Sequence, residues 1–160
     1  MKKAFTLVEM MVVIGIVALV GAFGLTTYKS TQNAKNVEKS AKAIADQLIV
    51  AHADAMGPDA SLSNIQTVDI TVDTAVGTIV KKIVSTSTTV FTAPSGIKLS
   101  TSNMTNNTYS YIANDAYTLG QIKPAATSAD AIITVSNNDN SISYNVTVNH
   151  MTGVVDVSRN

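Results

Sequence analysis

From Met10 to Leu25 the chain carries no charge, and Glu9 alone interrupts the apolar run that begins at Phe5. At about 1.5 Å per residue, Phe5–Leu25 would coil into roughly 31 Å of helix, enough to cross a bilayer core. The run is apolar on every side, so one sheet cannot cover it; lipid or other subunits must surround it. Glu9 sharpens the constraint. A charge at the centre of a bilayer costs up to about 2.5–3.5 kcal/mol on insertion scales. A compensating partner is needed, and one that appears only on assembly fits best.

The run is preceded by Met1-Lys2-Lys3-Ala4 and opens as Phe5-Thr6-Leu7-Val8-Glu9-Met10. This opening resembles the class III signal of type IV pilins and pseudopilins. The resemblance implies cleavage between Ala4 and Phe5 by a prepilin peptidase and N-methylation of Phe5. It also implies that Glu9 is the acid that steers assembly, by pairing with the amino group of a neighbouring Phe5. The residue before the cut is usually Gly in that family and is Ala4 here, still small enough for a tight subsite. The implied partners are other pilin or pseudopilin subunits, the prepilin peptidase and an inner-membrane assembly platform. An ordinary secretory signal fits less well, because its apolar core is shorter and Gly21-Ala22-Phe23-Gly24 offers no A-x-A-like cleavage site. A plain single-span anchor is the other alternative.

Lys2 and Lys3 place the N-terminus in the cytoplasm by the positive-inside rule, with the rest facing outward and Lys29 just beyond the span. The helix is expected to continue. Val37, Ala41, Ile44, Leu48, Ala51 and Ala55 recur at helical spacing, with Lys35, Lys39, Lys42 and Asp46 off the stripe. Gly57-Pro58 is a stop signal, giving a predicted helix from Phe5 to about Met56. Gly15, Gly21 and Gly24 each cost roughly 1 kcal/mol in a helix. Either local unwinding in a filament or close helix packing accounts for them. The expected organisation is a leader at 1–4, a membrane or filament-core half-helix at 5–28, an amphipathic half-helix at 29–56 and a β-rich head at 57–160.

Beyond Pro58 the period becomes two. Strands are predicted at Gln66–Asp73, Thr78–Ser85, Thr88–Thr92, Gly96–Ser100, Thr108–Ala113, Ala131–Ser136, Ser141–Asn149 and Gly153–Ser158. Asn137-Asn138-Asp139-Asn140 and Met151-Thr152-Gly153 read as hairpin turns. The least regular region is Ile97–Ala129, where Asn103–Thr108 reads as exposed loop. The fold class is therefore α+β, a long N-terminal helix packed on an antiparallel β-sheet or small β-sandwich. The stretch Val90–Gly96, with the later strands and the Thr152-Gly153-Val154-Val155 turn, loosely resembles H-type minor pseudopilins of type II secretion and their FimT-like pilus counterparts.

Composition narrows the function. The chain has 160 residues and a formal net charge of zero, which turns negative if Lys2 and Lys3 are removed. Arg159 is the sole arginine and the lysines are scattered, so no nucleic-acid footprint is present. Cysteine is absent, which rules out a disulfide staple. His52 and His150 read as structural residues, and no metal-ligand spacing is seen. Asp139 among its asparagines reads as a turn rather than a calcium site. Asn103, Asn106 and Asn145 lie in N-x-[ST] sequons, which such a composition produces by chance. No cofactor and no enzymatic activity are expected. The reading is a filament subunit, a minor pilin or pseudopilin of a secretion, pilus or competence machine ahead of a major pilin of an adhesive or motility pilus. The alternative from another class is a membrane-tethered extracellular binding module.

Overall fold

The computed structural model describes residues 6–56, 67–83, 86–112, 121–123 and 129–160, with the backbone alone for 23–27, 56, 112 and 121–123. The chain divides into two compact units, Met1–Asn36 and Val37–Asn160. One helix, α1 (Leu7–Met56), supplies the described part of the first unit and the opening of the second. Phe5, where the helix was expected to begin, and Gly57-Pro58, its expected stop, lie outside the described residues.

In the first unit every described side chain of α1 from Leu7 to Ala22 is exposed. A Cβ added at Gly15 or Gly21 would meet nothing within 4 Å, so no contact among the described residues requires glycine there. In the second unit the pattern inverts. Val37, Ala41, Ile44, Leu48, Ala51 and Ala55 are all buried, each at 0 or 1% exposure. The helical period thus becomes a packed stripe.

That stripe shares one core with two antiparallel sheets. The strands are β1 (Thr67–Asp73), β2 (Thr78–Ile83), β3 (Thr86–Thr92), β4 (Ile97–Ser102), β5 (Thr108–Ile112), β6 (Gln121–Lys123), β7 (Ala131–Asn137), β8 (Ser143–Val148) and β9 (Val155–Arg159). The first sheet has the order β3-β2-β1-β5-β6 and the second β4-β7-β8-β9. Strand alternation supplies the inner faces. Val68, Ile70 and Val72 of β1 are buried beside Ile79, Tyr109 and Tyr111, while Ile133, Val135, Val146 and Val148 do the same in the second sheet. Lys81 points inward from β2 and donates to Asp54 of α1 over 2.7 Å, a polar tie between helix and sheet.

The turns follow local chemistry. Asp73 Oδ1 accepts the amides of Ala75 and Val76, and Gly77 has φ 75°. Glycine takes that conformation without steric cost, and a Cβ there would press within 3.1 Å of Ala93 Cβ. Between β7 and β8, the Asn137 side chain accepts the Ile142 amide and donates to the Ser141 hydroxyl. This connection keeps Ser141 and Ile142 out of β8, which starts two residues later than the alternation alone indicated. The Met151-Thr152-Gly153 turn joins β8 to β9, with Asn149 Oδ1 accepting the amides of Met151 and Thr152.

The irregular region holds more structure than its composition announced. The Asn103–Asn107 segment is a turn in which Asn103, Asn106 and Asn107 have positive φ, a conformation asparagine tolerates. Beyond it, β6 pairs with β5 through Ser110–Lys123, Tyr111–Ile122 and Ile112–Gln121, a strand that sequence reading did not anticipate.

Candidate assembly site at the N-terminus

Helix α1 needs its first amides satisfied, because they have no acceptor one turn earlier. Thr6 meets part of that need. Its Oγ1 accepts the Glu9 amide over 3.2 Å, and its carbonyl accepts the Met10 amide over 3.2 Å. Thr6 is therefore the N-cap and Glu9 the third helical residue, the spacing at which Thr and Glu form a capping box. Thr6 was not singled out from sequence, although the T-x-x-E pattern before an apolar run was available to find it.

Glu9 stands exposed in this first turn. An acid there complements the positive end of the helix dipole. Its surroundings are otherwise apolar: Leu7, Val8, Met10, Met11, Val12 and Val13 are all exposed large hydrophobics. Among the described residues, the helix thus presents one anionic group amid exposed apolar side chains from Leu7 to Ala22. Ala4 and Phe5, the expected cleavage pair, lie outside the described residues. Among the residues described, no helical segment is long and apolar enough to cross a membrane; the side chains of 23–27, where the sequence stays apolar through Leu25, are outside the described ones.

Residues 1–25 match the prokaryotic N-terminal methylation motif. The chain opens with a type IV pilin-type signal. No curated protein and no solved structure matches the chain. The pilin-type signal points to a structural subunit that is processed and assembles with other pilin subunits. The helix-on-antiparallel-sheet architecture agrees with a pilin fold.

The other polar candidates sit apart from this signal. His52 lies on α1 with its ring centroid 5.2 Å from that of Tyr111, and Tyr111 meets Tyr109 edge-on at 4.9 Å. Burial pushes both tyrosine hydroxyls well above their usual range. Neither hydroxyl has a hydrogen-bond partner among the described residues. His150 is in the β8–β9 turn, where its amide and Nδ1 both reach Asp130 Oδ1, at 3.0 and 2.8 Å. Those two contacts hold the Asp130 carboxyl below the usual carboxylate range. Asp139 Oδ1 accepts the Ser141 amide, and Ser141 is the main reason its carboxyl too is lowered. Among the described residues, no group of three or more His, Cys, Asp or Glu is placed to hold a metal. Of the sequon asparagines, Asn145 sits within β8 and accepts from Thr134, while Asn103 donates to the Asp130 carbonyl.

Proposed function

We propose that the chain is a non-enzymatic subunit of a type IV pilus-like filament, of the minor pilin or pseudopilin kind. The observation that carries this reading is an acid in the first turn of a helix whose described side chains from Leu7 to Ala22 are all exposed, within a methylation-type signal. The unprocessed subunit inserts with its N-terminus inside and its β-rich head outside. Prepilin peptidase cuts between Ala4 and Phe5, and Phe5 is N-methylated. An assembly platform then draws the subunit out of the membrane.

In the filament the apolar half-helices replace lipid with one another, and the heads form the coat. Glu9 pairs with the amino group of a neighbouring Phe5. Each charge alone would be costly in a dry core, and the pair offsets that cost while fixing the register between subunits. The loose likeness of the head to H-type and FimT-like subunits supports the minor-subunit assignment.

Mass spectrometry of the exported protein's N-terminus tests the proposal. The expected species begins at Phe5 and carries one added methyl group. A chain that keeps Met1–Ala4 would instead support a membrane-tethered binding module, which needs no cut before Phe5.

A further inference from the structure

The charges that bracket the apolar run have a spacing of their own. Glu9 and Lys29 both lie on α1 in the first unit. At about 1.5 Å per residue they stand about 30 Å apart along the axis, the thickness of the hydrocarbon core. Lys29 does not stand alone. Tyr28 beside it is 67% exposed, and Lys35, also exposed, follows about 9 Å further along, close to a Debye length. No acid occurs between Glu9 and Glu38. An aromatic ring with a polar tip next to a long cationic side chain suits the lipid–water boundary, where both keep one end wet.

The placement of these cations also runs against the positive-inside rule once Lys2 and Lys3 are gone, because Lys29 and Lys35 then lie on the outer side. An arrangement that opposes the topology signal calls for a local benefit. Attraction to phosphate groups at the outer surface supplies one.

We propose that Tyr28 and Lys29, assisted by Lys35, form a collar that binds phosphate-bearing lipid headgroups at the outer surface and so sets the depth of Glu9. With the collar seated, Glu9 falls in the opposite headgroup layer. It stays hydrated while the subunit waits in the membrane. The cost of burying it arises only on extraction, when the amino group of a neighbouring subunit is there to meet it. The inference rests on the membrane-inserted state described above and adds a lipid partner and a vertical register to it.

The chain has no cysteine, so single Cys substitutions between Leu7 and Ala22 can each carry a nitroxide label. The full-length protein in phosphatidylethanolamine–phosphatidylglycerol vesicles is then probed by spin-label collision with oxygen and with a water-soluble nickel complex. A seated collar puts the oxygen maximum at Leu19, midway between Glu9 and Lys29, and leaves Val8 open to nickel. Centring of the apolar run alone puts the maximum at Gly15 and shields Val8, which overturns the proposal. Tyr28→Leu with Lys29→Leu is expected to move the maximum from Leu19 toward Gly15 by up to one helical turn, about 5 Å, while Lys29→Arg leaves it in place. A maximum unmoved by the double substitution also overturns the collar. If no label prefers oxygen, the membrane-inserted state itself fails.

Discussion

The Glu9 amide donates to the Thr6 hydroxyl over 3.2 Å, so the acid of the signal and the cap of α1 are one local unit. The apolar helix starts where it does because Thr6 satisfies a donor that lipid or a dry filament core could not. Replacing an N-cap Thr by Ala costs about 0.5–2 kcal/mol. Thr6→Ala should therefore speed amide exchange at Glu9 and Met10 by roughly tenfold in micelles, with Thr6→Ser close to wild type. Unchanged exchange in Thr6→Ala would count against the cap.

Two neighbouring helix positions should respond very differently to truncation. Leu48 is 1% exposed within the core and Ile49 is 52% exposed. Leu48→Ala is expected to destabilise the Val37–Asn160 unit by about 2–5 kcal/mol, and Ile49→Ala by less than about 0.5 kcal/mol. Chemical denaturation reads both, and equal effects would refute the packing of the stripe.

The tyrosine pair gives a prediction of the opposite sign. A buried hydroxyl without a partner carries a desolvation cost of about 1–3 kcal/mol. Tyr111→Phe and Tyr109→Phe should therefore be neutral or stabilising by up to about 1 kcal/mol, with the ring contacts kept. A loss of more than about 1 kcal/mol in either variant would mean that the hydroxyl is in fact satisfied.

Asp130 ties the β8–β9 turn down through His150, and its carboxyl is lowered chiefly by the His150 ring and amide contacts. A carboxyl depressed in the folded state stabilises fully above the usual carboxylate range, and loses that contribution as pH falls through its lowered value. The His150 amide resonance should report a midpoint below the usual carboxylate range, and Asp130→Asn should abolish that transition. A midpoint at or above the ordinary value would contradict the contact.

Much of the fold was legible because its signals are periodic and local. The Val37–Ala55 stripe needs only helical spacing, and β1 needs only the alternation of Val68, Ile70 and Val72. Asn and Gly turns declared themselves by residues that accept positive φ. Non-local choices were not legible. Pairing of β1 with β5, while β4 leaves for the second sheet beside β7, depends on contacts far apart in sequence. Strand β6 is too short to show a pattern, and Asp130 meets His150 from another loop. At the candidate site, position and residue type marked Glu9, whereas Thr6 emerged only from the hydrogen bond it accepts.

The most direct test of Glu9 as the assembly acid compares filament yield in Glu9→Ala and wild type when equal amounts of membrane-inserted, processed subunit are present. The expected result is normal insertion and normal loss of Met1–Ala4, with incorporation into sheared filaments sharply reduced. Filaments recovered from Glu9→Ala at wild-type yield would contradict it.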